Sequence, residues 1–134
     1  MKRNYEIPND LYYTKTHEWL RIEGDIGIIG ITDYAQDMLH DIVYVDLPEI
    51  GRRVKAGEAF MELESVKSVA EVYAPVSGNI IDVNESLIDS PELINKSPYG
   101  DGWLVKIRIA NLSEVKNLLT AEEYRKLIKN MEHK

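Results

Sequence analysis

The chain has 134 residues, a net charge of −7, a pI near 5.0 and no cysteine. That length suits one domain with a modest core. The acidity argues against nucleic acid or an anionic membrane as partner, and the missing cysteine excludes disulfides, thiol catalysis and cysteine-ligated metal.

Residues 1–11 read as a polar lead-in, with Pro8 before Asn9 and Asp10. Their two basic residues are not followed by an apolar stretch, so no secretory signal is expected, and a cytoplasmic protein is the simplest reading. EWLRI (18–22) and IGIIGI (26–31) read as strands around a turn at Gly24-Asp25. Gly27 and Gly30 in the second run predict a bend or a close backbone approach. Thr32 is placed to cap a short helix over DYAQDML (33–39). IVYVDL (42–47) is the strongest β-branched run, ended by Pro48 and Gly51. Residues 52–57 form a loop. Residues 59–65 then alternate, with Met61, Leu63 and Ser65 on one side and Phe60, Glu62 and Glu64 on the other.

Val66-Lys67 falls at a break before a further strand over 69–73. PVSG (75–78) is a turn and 79–83 another strand. The stretch 84–102 is irregular, with one helical turn possible at 91–95. WLVKIRI (103–109) closes the β region. Ser113 is placed to cap a short helix over EVKNLL, and Thr120 with Glu123 forms a capping box for a longer one. Tyr124, Leu127, Ile128 and Met131 share one face of that helix, which is expected to dock on the β core. Many short strands punctuated by Gly and Pro predict a mainly β domain, a small sandwich or barrel, over 12–134, with C-terminal helices at 113–133.

The chemistry-bearing motifs are few. There is no phosphate-binding glycine loop, no nucleophile elbow, and the three histidines lie far apart. His133 reads as a solvated tail residue, His40 as a cap at the helix end, and His17 as a local hydrogen-bonding group. Trp19 and Trp103 read as core. Lys67 stands out because it is the only Lys or Arg between Lys55 and Lys96. Composition alone favours a solvated hairpin lysine. Against that, it sits at the junction of two strands in an acidic tract, and the small side chains of Ser65 and Ser68 leave access from both sides. A solvated amine is protonated at neutral pH and is a poor nucleophile, so a Schiff-base role fits badly. An attachment point fits better, since group carriers put the hard chemistry on the cofactor.

ESVK (64–67), APVSG (74–78), DSPELIN (89–95), PYGDGW (98–103) and LTAEEY (119–124), with the run KTHEWLRIEGDIGIIGITDYAQ after Thr14, resemble the glycine cleavage H-protein family. The resemblance covers nearly everything after residue 11. It implies a lipoyl-type barrel-sandwich hybrid, two small antiparallel sheets related by a pseudo-two-fold axis. It implies lipoate in amide linkage to Lys67 and a non-catalytic carrier role. The carrier takes an aminomethyl group from glycine decarboxylase (P protein) to the aminomethyltransferase (T protein). Dihydrolipoyl dehydrogenase (L protein) then reoxidises it, and a lipoate ligase or lipoyl transferase loads it. A monomer is expected.

The family shelters its loaded arm in a cleft, and the matching positions are Thr16, Glu18 and Glu71. The alternative for the two glutamates is a pair of solvated strand carboxylates. Two departures from the family stand out. His40 replaces a glycine, so a positive φ there would be strained. Met38 stands where some members carry histidine. Biotinyl domains flank their lysine with methionines and acyltransferase lipoyl domains carry D-K-A, whereas Val66 and Ser68 flank Lys67 here. A lipoate donor that relays the cofactor to other enzymes remains an alternative function.

Overall fold

The alternating β-branched and aromatic runs pair into antiparallel strands in the computed structural model, which describes residues 4–132. His133 therefore lies outside the described residues. The strands are β1 (Tyr12–Tyr13), β2 (Glu18–Glu23), β3 (Ile26–Ile31), β4 (Ile42–Asp46), β5 (Arg53–Val54), β6 (Ala59–Ser65), β7 (Val69–Tyr73), β8 (Gly78–Val83) and β9 (Val105–Ile109). The helices are α1 (Asp33–Leu39), α2 (Ser86–Asp89), α3 (Leu93–Lys96) and α4 (Ala121–Glu132). One sheet runs β1-β2-β3-β9-β8-β5 and the other β4-β6-β7, which is the mainly β, two-sheet lipoyl-type architecture. Leu20 and Ile107 from the first sheet and Leu63 and Val72 from the second belong to one buried cluster.

Gly30 lies opposite Trp19 across β2 and β3, and a Cβ on it would stand 2.5 Å from the indole. The missing side chain thus lets Trp19 lie flat over β3 while its Nε1–H donates to the Pro98 carbonyl at 3.0 Å. Phe60 and Met61 are both buried, although alternation assigns them opposite faces. A register shift between Ala59 and Met61 turns both inward, which strict period two does not anticipate.

A second cluster lies under α4 and includes Leu11, Tyr13, Trp19, Tyr99, Tyr124 and Ile128. The Tyr13 and Tyr124 rings stack at 4.7 Å, a contact of about 0.5–1.5 kcal/mol beyond area burial. The capping box at the start of α4 forms as expected, with Thr120 N–H donating to Glu123 Oε1 at 2.9 Å and Glu123 N–H donating back to Thr120 Oγ1. Tyr124 and Ile128 are buried and Leu127 half-buried, but Met131 stays 37% exposed.

Several local expectations shift. The stretch before residue 11 is not simply polar. Tyr5 and Ile7 pack on the second cluster, and the Tyr5 hydroxyl donates to Asp37 Oδ2 at 2.7 Å. Two apolar residues are too few to register as a periodic pattern. The segment over 112–117 is a 3-10 helix capped by Asn111, not an α-helix capped by Ser113. Asn111 Oδ1 accepts the Ser113 amide at 3.1 Å and its hydroxyl at 2.6 Å, so Ser113 donates where a cap would accept. The stretch 84–102 holds two one-turn helices, α2 and α3, and β9 starts at Val105 because residues 98–102 turn first.

His40 closes α1 with φ 65 and ψ −155, a region nearly reserved for glycine. Its amide, not its ring, does the capping, donating to the Gln36 carbonyl. Asn95 holds this strained corner. Its Nδ2 donates to the His40 carbonyl at 2.8 Å, and its Oδ1 accepts the Ile42 amide at 2.9 Å.

Candidate functional site: a lysine hairpin beside a carboxylate cleft

β6 and β7 meet in a tight turn at Ser65–Ser68. Ser65 N–H donates to the Ser68 carbonyl at 2.8 Å. Ser65 Oγ accepts the amides of Lys67 at 3.1 Å and Ser68 at 3.0 Å, and is placed to donate to the Ser68 carbonyl at 3.2 Å. The serine expected to give access is thus itself buried, and it builds the turn. Access comes from the tip, where Val66, Lys67 and Ser68 are all exposed. The Lys67 amine has no partner among the described residues.

A cleft of about 330 Å³ opens beside the hairpin. Its apolar lining comes from Ile31, Leu63, Ala70 and Val72 and from Ala35, Met38 and Leu39 on one side of α1. Its polar lining is Thr16, His17, Glu18, Tyr34 and Glu71, so the three residues expected at a cleft share one. Met131 from α4 joins them. Lys67 stands outside; Ala70, three residues further along, is the first lining residue of that strand, a reach of at most ~10 Å at strand rise.

The two carboxylates differ. Glu71 is exposed on β7. Glu18 is 1% exposed and far from a solvated strand residue. Its Oε1 accepts the hydroxyls of Thr14 and Thr16, each at 2.5 Å, and its Oε2 accepts the Tyr73 amide at 3.0 Å. Burial pushes its carboxyl above the usual range, while these donors pull it back toward ionisation. A buried, preorganised carboxylate has spare lone pairs for a cation that brings its own hydrogens.

His17 was read from sequence as a local hydrogen bonder, and its partner is remote. Its Nδ1 lies 2.9 Å from the hydroxyl of Tyr124, 107 residues away. Burial lowers its pKa below the usual 6.5, which keeps the ring neutral at neutral pH. Tyr124, Tyr34 and Met131 were missed as cleft or near-cleft groups. The LTAEEY motif was the available signal for Tyr124, and nothing in the sequence placed α4 beside α1.

A wider hollow of about 570 Å³ is lined by Arg53, Lys55, Arg108, Ser77 and Glu114. Arg108 donates to Asp25 at 2.9 Å and Glu114 accepts both Ser77 donors, so two of its four charged side chains are engaged in bonds of the fold. Among the described residues no group of three or more His, Cys, Asp or Glu is arranged to hold a metal, and no helix is long and apolar enough to cross a membrane.

The family model described as Glycine cleavage H-protein matches residues 11–131. A glycine cleavage system H protein of Carboxydothermus hydrogenoformans is 50% identical over 122 residues, covering 91% of this chain and 94% of that one. One from Geobacillus thermodenitrificans is 55% identical over 121 residues, covering 90% and 95%. The crystal structure of a glycine cleavage system H protein from Mycobacterium marinum superposes with a TM-score of 0.81 at 44% identity, covering 88% of this chain and 95% of that one. With the fold, the lysine hairpin and these matches in agreement, the chain belongs to the glycine cleavage H-protein family.

Proposed function

We propose that Lys67 carries lipoate in amide linkage and that the adjoining cleft receives the end of that arm when it bears an amine. Membership of the family makes the chain a lipoyl carrier of the glycine cleavage system. The observation that carries the site assignment is the pairing of an exposed, unpartnered lysine on a bonded turn with a cleft that joins apolar walls to Glu18 and Glu71.

The residues present fit the group. An acylated lysine is neutral, and its amide keeps one donor and one acceptor that water satisfies at an exposed tip. Ile31, Leu63, Ala70 and Val72 suit an aliphatic stem, and Thr16, Glu18 and Glu71 suit a cationic amine. When bound, lipoate supplies the sulfur that accepts and surrenders an aminomethyl cargo. The chain's own part is to hold that amine against Glu18, whose Oε1 is already aligned by Thr14 and Thr16, and to exclude water around it. No side chain is asked to form or break a bond, so the protein is read as a carrier and not an enzyme.

Glycine decarboxylase, the aminomethyltransferase, dihydrolipoyl dehydrogenase and a lipoate ligase or lipoyl transferase are the partners this role needs. The relatives are bacterial glycine cleavage proteins, which supports a cytoplasmic setting. A lipoate donor relaying the cofactor to other enzymes is the competing role for the same lysine. Glycine–bicarbonate exchange with glycine decarboxylase separates the two. The lipoylated protein is expected to support exchange; if it acquires lipoate normally yet supports none, the relay role replaces the shuttle.

A further inference from the structure

We propose that Tyr124, acting through His17, is a positioning residue that fixes Glu18 and Thr16 for the cargo amine. This rests on the reading of Glu18 as the amine's acceptor.

The loop between β1 and β2 closes tightly. Thr14 N–H donates to the Glu18 carbonyl at 3.0 Å, and His17 N–H donates to the Thr14 carbonyl at 3.2 Å. His17 takes φ 73, the left-handed position that such short hairpin loops usually give to glycine. A histidine kept there is strained, and a strained residue persists only where its surroundings hold it. The holding groups are visible. The ring packs 4.9 Å from that of Tyr34, and Nδ1 meets the Tyr124 hydroxyl at 2.9 Å. That hydroxyl also lies 2.7 Å from Thr32 Oγ1, and Tyr124 and Thr32 are both fully buried.

The hydrogens can be assigned without an orphan. Thr32 Oγ1 accepts the Ala35 amide at 3.2 Å and can donate to Tyr124, which then donates to a neutral His17. Burial disfavours the charged imidazolium and keeps the ring able to accept. The N-cap of α1 is therefore tied to the 14–18 loop twice, by the Thr32 amide donating to the His17 carbonyl at 3.0 Å and by the buried Tyr124 hydroxyl, which engages the His17 ring. Thr16 and Glu18 flank His17 in the chain, and the Thr16 hydroxyl reaches Glu18 Oε1 at 2.5 Å. If His17 relaxed to a negative φ, its two neighbours would change direction relative to each other and this alignment would break. An interaction 107 residues apart in the chain thus sets the geometry of the cleft carboxylate.

The test uses the unmodified full chain. Tyr124→Phe keeps the ring and its stack on Tyr13 while removing the hydroxyl. Side-chain carbon NMR should find the Glu18 carboxyl titrating at higher pH than in the parent, because lost threonine donors no longer favour the charged form. Amide exchange at 14–18 should accelerate about tenfold, as for one lost hydrogen bond, while exchange at Ser65 stays unchanged. His17→Asn in the Tyr124→Phe background should recover much of the Glu18 shift, since asparagine accepts positive φ more readily.

A merely structural role for the hydroxyl would lower the melting temperature and leave Glu18 titrating as before, and that result overturns the proposal. If Tyr124→Phe does not fold, His17→Phe removes the same hydrogen bond and must give the same Glu18 shift, or the proposal fails. Retention of the amine cargo, measured separately on the lipoylated and aminomethyl-loaded protein, distinguishes this idea from its premise. If Glu18→Gln releases ammonia no faster than the parent, the acceptor reading and the proposal built on it both fall. If Glu18→Gln releases faster while Tyr124→Phe leaves Glu18 titration untouched, only the positioning role falls.

Discussion

The turn around Lys67 and the loop around His17 are both tight connections between antiparallel strands, built in opposite ways. The Lys67 turn is held by Ser65 and Ser68 within four residues, with longer ties where the Val66 amide reaches the Asp41 carbonyl at 3.0 Å and Ser65 pairs with Ile42 of β4. The His17 loop has its own bonds between Thr14, His17 and Glu18, and adds to them the Thr32 amide on the His17 carbonyl and the ring contacts to Tyr124 and Tyr34, with Glu18 buried behind it. The difference suits the roles proposed for them: an attachment point has to be exposed and tolerant, whereas a carboxylate that receives a cation is best fixed before the cation arrives.

Truncation should separate the two most strongly. Tyr124→Ala removes a fully buried ring and is expected to cost about 3–5 kcal/mol in urea unfolding. Lys67→Ala removes an exposed chain and should cost no more than about 0.5 kcal/mol. Equal costs would mean that the two regions are not built differently.

Ser65→Ala comes next. It deprives two turn amides of their acceptor, although both can reach water, and should cost about 1 kcal/mol. It should also slow lipoylation, because a loosened tip presents Lys67 less well. Unchanged stability and loading would show that the turn is held by strand pairing alone. His40→Gly should stabilise by about 1 kcal/mol, since it removes strain from a glycine-type conformation at some entropic cost. A destabilised variant would mean that the His40 ring makes a contribution its exposure does not suggest.

The smallest effect is in pH dependence. His17 has a folded pKa below 6.5, so its share of stability is complete above that value and is lost as pH falls through the lowered one. Glu18 has a folded pKa above 4.5, so its share runs the other way, complete below 4.5 and lost as pH rises through the raised value. In weak acid the two oppose each other. Glu18→Gln should therefore make the fall in melting temperature below pH 6.5 steeper, and His17→Asn should flatten it. Parallel curves for all three proteins would contradict the burial assigned to these groups.

How much of this was legible in the sequence depends on range. The strands around Gly24 and Lys67, the Thr120 capping box and the exposed lysine are written in local alternation and turn chemistry, and all were anticipated. The strain at His40 was foreseen on the condition of a positive φ, and only through the family resemblance, which places a glycine there. Its remedy, Asn95, was not, since that contact spans 55 residues. The family resemblance marked Glu18 as a cleft position, but the residues alone left a solvated strand carboxylate open, because burial of a carboxylate is a tertiary fact. Met131 read as a core position on the face of α4, and only the docking angle of that helix turned it toward the cleft.

The most direct test of the account is the intact mass and peptide map of the protein after incubation with a lipoate ligase, beside Lys67→Ala. The account predicts one added lipoyl group on the peptide that contains Lys67 and none on the variant. A lipoyl group that persists on Lys67→Ala, or an unmodified wild-type chain, would contradict it.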